Sequence, residues 1–126
     1  MNVLIVDDST FIVERIAELL LELDSIKKVY KAGSFAEGEQ MFATLQPDVV
    51  LLDINLPDNT GINLLRKIRA QDRSVYIVMI TNQSSDYYRR VCFLLGANFY
   101  VDKSVEFDKI PDIIHQIKDF RKIGIQ

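Results

Sequence analysis

The stretch "VVLLDINLPDNTG", residues 49–61, sets a single aspartate behind four apolar residues and follows it with a proline and a glycine. An unbroken apolar run such as residues 49–52 suits a strand buried on both faces, as in a parallel sheet. Asp53 is then one of two things. It is the first polar residue of a strand reaching the surface, or it is a carboxylate held at a sheet edge for a chemical purpose.

Four further apolar runs punctuate the chain, at residues 3–6, 26–30, 76–80 and 99–101. Run 26–30 has Lys27, Lys28 and Lys31 in or beside it, which predicts an edge strand. Helical patterns fill the gaps. Ile12, Ile16, Leu19, Leu20 and Leu23 form one apolar stripe. "SFAE", residues 34–37, reads as a capping box, and Gln46-Pro47 ends the helix it opens. Gly61 precedes a helix built on Leu64, Leu65 and Ile68. Ser84 or Ser85 caps a fourth helix that stops at Gly96. Ile110, Ile113, Ile114 and Ile117 carry a fifth, with Pro111 in its first turn. The pattern predicts an α/β fold, (βα) five times: a doubly wound parallel five-stranded sheet in a three-layer sandwich.

Composition narrows the function. The 126 residues suit a single domain, 1–126, and 48% hydrophobic with 26% charged residues describes an ordinary globular protein. The net charge of −3 offers no basic footprint for nucleic acid. No apolar run approaches the roughly 20 residues that cross a membrane. "MNVLIV" has neither a basic leader nor a cleavage site, and the lone Cys92 fits a reduced, cytoplasmic setting as a small buried residue. His115, the only histidine, reads as part of a solvated face. Tyr87 and Tyr88 read as packing residues.

Ligands in doubly wound sheets bind outside the carboxyl ends of the strands. Asp7-Asp8, Asp53, Thr81 and Asp102-Lys103 all fall at such ends. Asp7 and Asp8 could simply cap the first helix, and Thr81 could be a turn residue. Taken together, three carboxylates in one cleft repel. Two like charges about 4 Å apart cost on the order of 4 kcal/mol at an effective dielectric near 20. Lys103 can answer one charge, and a divalent cation with hard oxygen ligands, Mg²⁺, can answer the others.

With these residues in this order, the chain resembles a response-regulator receiver domain of the chemotaxis type, used in two-component signalling. The resemblance implies a flavodoxin-like strand order 2-1-3-4-5 and a switch activated by phosphorylation. It implies that Asp53 accepts a phosphoryl group from a phosphohistidine on a sensor histidine kinase or phosphotransfer protein. Asp8, Asp53 and the main-chain carbonyl of Asn55 would ligate Mg²⁺, with Asp7 acting through a water. Lys103 would pair with Asp53 at rest and with a phosphoryl oxygen afterwards. Thr81 would hydrogen-bond another phosphoryl oxygen and make room for Tyr100 to turn inward. Pro57 and Gly61 would shape the loop after Asp53, glycine permitting backbone angles that other residues resist.

Two positions depart from the family pattern. Ser104 follows Lys103 where proline is usual, so a trans peptide is expected there, because a cis bond before a non-proline costs roughly 2.5–4 kcal/mol. Asn82 follows Thr81 where a smaller residue is usual, and it is expected to hinder the water that attacks the phosphoryl group. At 100° per residue, Phe11 falls on the polar side of the first helix, with Glu14, Arg15, Glu18 and Glu22. It either docks the kinase or folds over the loop after Asp53.

Other readings fit less well. A dehalogenase-type phosphatase wants a second acid where Asn55 stands. A flavodoxin-like cofactor binder wants glycine in "DDSTF". A pseudo-receiver working without phosphorylation would not need the acid, threonine and lysine set. The downstream target is expected to be a protein, a homodimer is possible, and the chain reads as free-standing.

Overall fold

In the computed structural model, residues 1–82 and 85–124 are described; the Ser84 alternative for the fourth cap lies outside them. The described residues alternate strands and helices: β1 (Asn2–Val6), α1 (Thr10–Leu21), β2 (Lys28–Ala32), α2 (Phe35–Leu45), β3 (Val49–Leu52), α3 (Gly61–Gln71), β4 (Tyr76–Thr81), α4 (Asp86–Leu94), β5 (Phe99–Asp102) and α5 (Ile110–Lys122), the last preceded by a 3₁₀ turn at Phe107–Lys109. All strand pairs are parallel, and the order is β2-β1-β3-β4-β5. The doubly wound α/β architecture expected from the sequence is the one observed.

The apolar runs are continuous because both sheet faces are covered. Val3, Ile5, Val49, Leu51, Val78 and Ile80 face α1 and α5. Their strand neighbours Leu4, Val6, Val50, Leu52, Ile77 and Met79 face the other layer, with Phe42, Leu64, Leu65 and Cys92 from α2, α3 and α4. Alternate residues of a strand point to opposite faces, so each run must be apolar throughout. Fully burying one such side chain contributes about 1.5–3 kcal/mol.

The second strand departs from its expected position by two residues. Ile26 is buried from the turn before β2, its amide bonded to the Leu23 carbonyl, and pairing begins at Lys28 opposite Asn2. The expected edge position is observed, since β2 pairs with β1 alone among the described strands.

Helix ends are chemically marked. Ser9, Ser34, Thr60 and Ser85 accept from the amides of Ile12, Glu37, Asn63 and Tyr88 respectively. In the expected capping box, Glu37 reaches the Gly33 amide (2.9 Å) rather than that of Ser34. Gly96, just after α4, has φ +106°, a left-handed angle that favours glycine. Its carbonyl accepts from Arg69 Nε at 2.7 Å. Arg69 also donates to the carbonyls of Asp72 and Val75 and to Asn98 Oδ1, tying α3 to the starts of β4 and β5.

Gly61 is required for a different reason from the expected one. It is not among the glycines with positive φ. A Cβ there would lie 1.8 Å from the Asp53 carbonyl oxygen. The Gly61 amide bonds to the Ile54 carbonyl (2.7 Å), and Asn55 bridges to Thr60, so the loop after β3 folds back on its own start. Asp58, at its tip, accepts from the amides of Phe35 and Ala36 at the start of α2.

Gly61→Ala is therefore expected to destabilise the fold by about 3 kcal/mol or more in urea unfolding, since backbone rather than a flexible side chain must move. Gly33→Ala, with nothing within 4 Å of the added carbon, is expected to stay within about 0.5 kcal/mol of the parent. Equal effects would refute the close-approach explanation.

Candidate functional site

Three polar side chains are buried among the described residues: Asp7, Asp53 and Thr81, at 2%, 5% and 0% exposure. Each stands at the carboxyl end of a strand. The sheet ladder carries two of them one step beyond the strands. Asp7 N–H donates to Ala32 O (3.0 Å), and Asp53 N–H donates to Val6 O (2.9 Å). Lys103, one residue past β5, donates its N–H to Thr81 O (3.0 Å). The backbone geometry that holds the sheet together thus delivers these groups to one edge.

Asp7, Asp8, Asp53, Asn55, Asn82 and Lys103 line one open depression of about 340 Å³. The Lys103 ammonium forms ion pairs with Asp7 Oδ2 and Asp53 Oδ2, the latter at 3.0 Å. Asp7 Oδ1 accepts from the Ser9 amide at 2.9 Å, but its buried Oδ2 meets the ammonium without hydrogen-bond alignment and has no other partner. Asp53 Oδ1 receives only a long contact from the Asn55 amide, 3.3 Å. Asp8 stands exposed on the rim. The helix-capping alternative for the acidic pair is met instead by Ser9.

Burial is the main force raising the Asp53 pKa above 3.8, and the nearby Asp7 charge adds to it; the hydrogen bond and charge of Lys103 oppose both without cancelling them. For Lys103, burial alone would push the ammonium down, but Asp7 and Asp53 outweigh it and its pKa rises. Negative neighbours push both groups upward, adding to burial at Asp53 and outweighing it at Lys103. Three carboxylates against one ammonium leave a formal −2 (−3 + 1).

That excess is the test of fit for a metal. One ligand oxygen from each of Asp7, Asp8 and Asp53 lies within 4.8 Å of the others. The donors are hard oxygens, the residual charge matches a divalent cation, and Asp7 Oδ2 has unmet capacity. The set suits Mg²⁺ better than zinc.

The remaining expected residues lie around this centre. Thr81 is fully buried at the end of β4. Tyr100 is buried on the α2–α3–α4 side, with the Arg89 guanidinium 5.4 Å from its ring centroid; desolvation pushes its hydroxyl up to about 12. The ring therefore already occupies the inward position that was expected only after switching. Phe11 is 69% exposed, with Arg15 over its ring at 5.9 Å, so it covers little of the loop after Asp53. Exposed His115 and buried Cys92 are as expected. Among the described residues no peptide is cis, so the bond between Lys103 and Ser104 is trans.

Asp58 and Arg69 were not legible as positioning residues. Their partners are main-chain groups distant in sequence, and no local pattern announces them. A larger concavity of about 630 Å³, lined in part by Asp48, Tyr76 and Arg121, lies away from the acidic cluster. Arg121 and Asp48 there are paired with each other at 3.2 Å.

The raised Asp53 pKa makes a signed expectation. A carboxyl that binds its proton more tightly when folded costs stability above the unfolded value, increasingly as pH rises from 3.8. Without divalent cations, Asp53→Asn should raise the melting temperature at pH 7, by roughly 4 °C per kcal/mol gained. The gain should vanish toward pH 3. A destabilised variant at pH 7, with cations chelated, would contradict the excess-charge account.

Comparison with known proteins agrees with this geometry. The family model described as the response regulator receiver domain matches residues 3–115. The DNA-binding transcriptional activator EvgA of Escherichia coli K12 is 28% identical over 121 residues, covering 94% of this chain and 58% of that protein. The chain thus spans little more than half the length of this relative. A CheY-like receiver domain protein from Methanospirillum hungatei JF-1 superposes with a TM-score of 0.85 at 28% identity, covering 98% of both chains. A CheX–CheY–BeF3–Mg²⁺ complex from Borrelia burgdorferi gives 0.85 at 25% identity, covering 93% of this chain and 88% of the matched one. No helix among the described residues is long and apolar enough to cross a membrane. The chain belongs to the receiver-domain family of two-component response regulators.

Proposed function

We propose that the chain, as one domain over residues 1–126, is a signalling switch set by phosphorylation of Asp53. The observation that carries this reading is a buried carboxylate pair bridged by one ammonium, open to solvent on a depression that retains a formal −2. A structural ion pair would be balanced; this one is left short of positive charge.

An Asp53 carboxylate oxygen would form its bond to phosphorus as the phosphorus–nitrogen bond to a partner's phosphohistidine breaks. Phosphoryl transfer is chiefly a matter of positioning and charge neutralisation. Mg²⁺, bound by Asp8, Asp53 and the Asn55 carbonyl with Asp7 through a water, would supply the positive charge that Lys103 alone does not. Lys103, already within reach of Asp53, would turn to a phosphoryl oxygen. Thr81 would hydrogen-bond another. Its strand neighbour Asp102 belongs to the same strand as Tyr100, so movement at Thr81 would bias how Tyr100 packs against Arg89. That surface change would be the output, read by a protein target. The similarity to a solved CheX–CheY–BeF3–Mg²⁺ complex from Borrelia burgdorferi supports this ligand chemistry. The only catalysis proposed is of the chain's own phosphorylation and dephosphorylation, in the cytoplasm.

Exposed Phe11 would anchor the helices that present the kinase phosphohistidine, since an aromatic beside a reactive site is a common docking element. Incubation with a small phosphodonor and Mg²⁺ should label the wild-type chain, and both Asp53→Asn and chelation should abolish the label. Phe11→Ala should slow transfer from the kinase and leave the small donor unaffected. Labelling that survives Asp53→Asn at the same site would overturn the assignment, and equal slowing by both routes would remove the docking role.

Asn82 is exposed on the lining of the depression, where its amide would stand in the path of attacking water. Asn82→Ala should shorten the half-life of the phosphorylated protein, measured by loss of label. An unchanged or longer half-life would count against screening.

A further inference from the structure

The proposed role of Lys103 demands a fixed backbone, yet the segment that carries it has little apolar support. Ser104 is exposed, and Val105 is 79% exposed. The long lysine stem multiplies any backbone error on its way to Asp53. Among the described residues, one main-chain bond, to Thr81 O, restrains Lys103 directly from another strand.

The restraint comes from the residue before it. Asp102 Oδ1 accepts from the Ser104 amide at 2.9 Å and from Ser104 Oγ at 2.6 Å, closing a loop around Lys103. The Asp102 amide donates to Glu106 Oε1 at 3.1 Å. The Asp102 carbonyl accepts from the amides of Val105 (3.3 Å) and Glu106 (2.8 Å). Glu106 is steadied in turn by Lys109, whose ammonium lies 2.7 Å from Oε2. Every polar group of Asp102 except Oδ2 thus engages the turn that carries Lys103, from the residue next to it.

We infer that Asp102, braced by Glu106, is a positioning residue that aims Lys103 at Asp53. The inference rests on the proposed phosphorylation of Asp53. Asp102 does not touch the reacting atoms; it acts by fixing the backbone on both sides of Lys103. Its acceptor oxygen, rather than its charge, performs the task, because both bonds to Ser104 end on Oδ1.

The test uses the full chain and three variants. Asp102→Ala removes the acceptor, Asp102→Asn keeps an oxygen in its place, and Asp53→Asn serves as the labelling control. Asp102→Ala should slow labelling by a small phosphodonor by up to about 100-fold, the scale at which a misplacement of about 1 Å acts. Its affinity for Mg²⁺ alone should not fall, since Asp8 and Asp53 remain in place and the displaced ammonium no longer competes for Asp53. Asp102→Asn should restore the wild-type rate. A crystal structure of Asp102→Ala should show Lys103 Nζ displaced from Asp53. A wild-type rate in Asp102→Ala, failure of Asp102→Asn to rescue, or an undisplaced Lys103 would each overturn the inference. Absence of label on the wild-type chain would sink the proposed phosphorylation instead, and the crystal structure would then decide the positioning role by itself.

Discussion

The Lys103 ammonium, set between the carboxylates of Asp7 and Asp53, is the interaction on which the edge of the sheet depends. It is the one positive charge among the described residues lining the acidic depression. Two buried carboxylates without it would face repulsion and an uncompensated desolvation cost. The fold supplies the three groups from β1, β3 and β5 by extending the backbone ladder one step past each strand. The same arrangement is therefore also the natural end of a parallel sheet, with polar residues placed on the last rungs. The pair leaves charge over, and that surplus separates a poised site from a structural bridge.

Around this centre the loops are held by unusually specific contacts. Gly61 lets the returning loop touch the Asp53 carbonyl, and Asp58 ties the tip of that loop to the start of α2. Arg69 directs its donors to carbonyls and to Asn98, so the start of β5 is anchored to α3. By contrast, α4 contributes only Cys92 to the fully buried core, and Tyr87 and Leu94 stand largely in solvent. Few buried contacts mean low local stability, and elements that move are drawn from that end of the scale. The loop that follows Asp53 is tied down at several points, while α4 has less apolar packing to resist a change.

Much of this was legible in the sequence. The apolar runs at residues 3–6 and 49–52 reveal strands buried on both faces. The aspartate directly after each run, Asp7 or Asp53, marks the site, because the ladder carries the next residue to the same edge. The outward side of Phe11 follows from helical periodicity alone. The start of β2 was less legible: Ile26 is buried by the turn that precedes the strand, and an edge strand dotted with lysines has a weak pattern. The bracing roles of Asp102, Asp58 and Arg69 were not legible, since each depends on where a distant or folded-back main chain brings its amides and carbonyls. The inward ring of Tyr100 belongs to the same class, set by packing against α4 rather than by its place in β5.

The most direct measurement of the central claim is a crystal structure of the full chain with Mg²⁺ and beryllofluoride. The expected result is beryllium joined to an Asp53 carboxylate oxygen, the Mg²⁺ among Asp8, Asp53 and the Asn55 carbonyl, and Lys103 Nζ moved from Asp53 onto a fluoride. An Asp53 carboxylate left bare at saturating beryllofluoride, still paired with Lys103 as in the ligand-free protein, would contradict it.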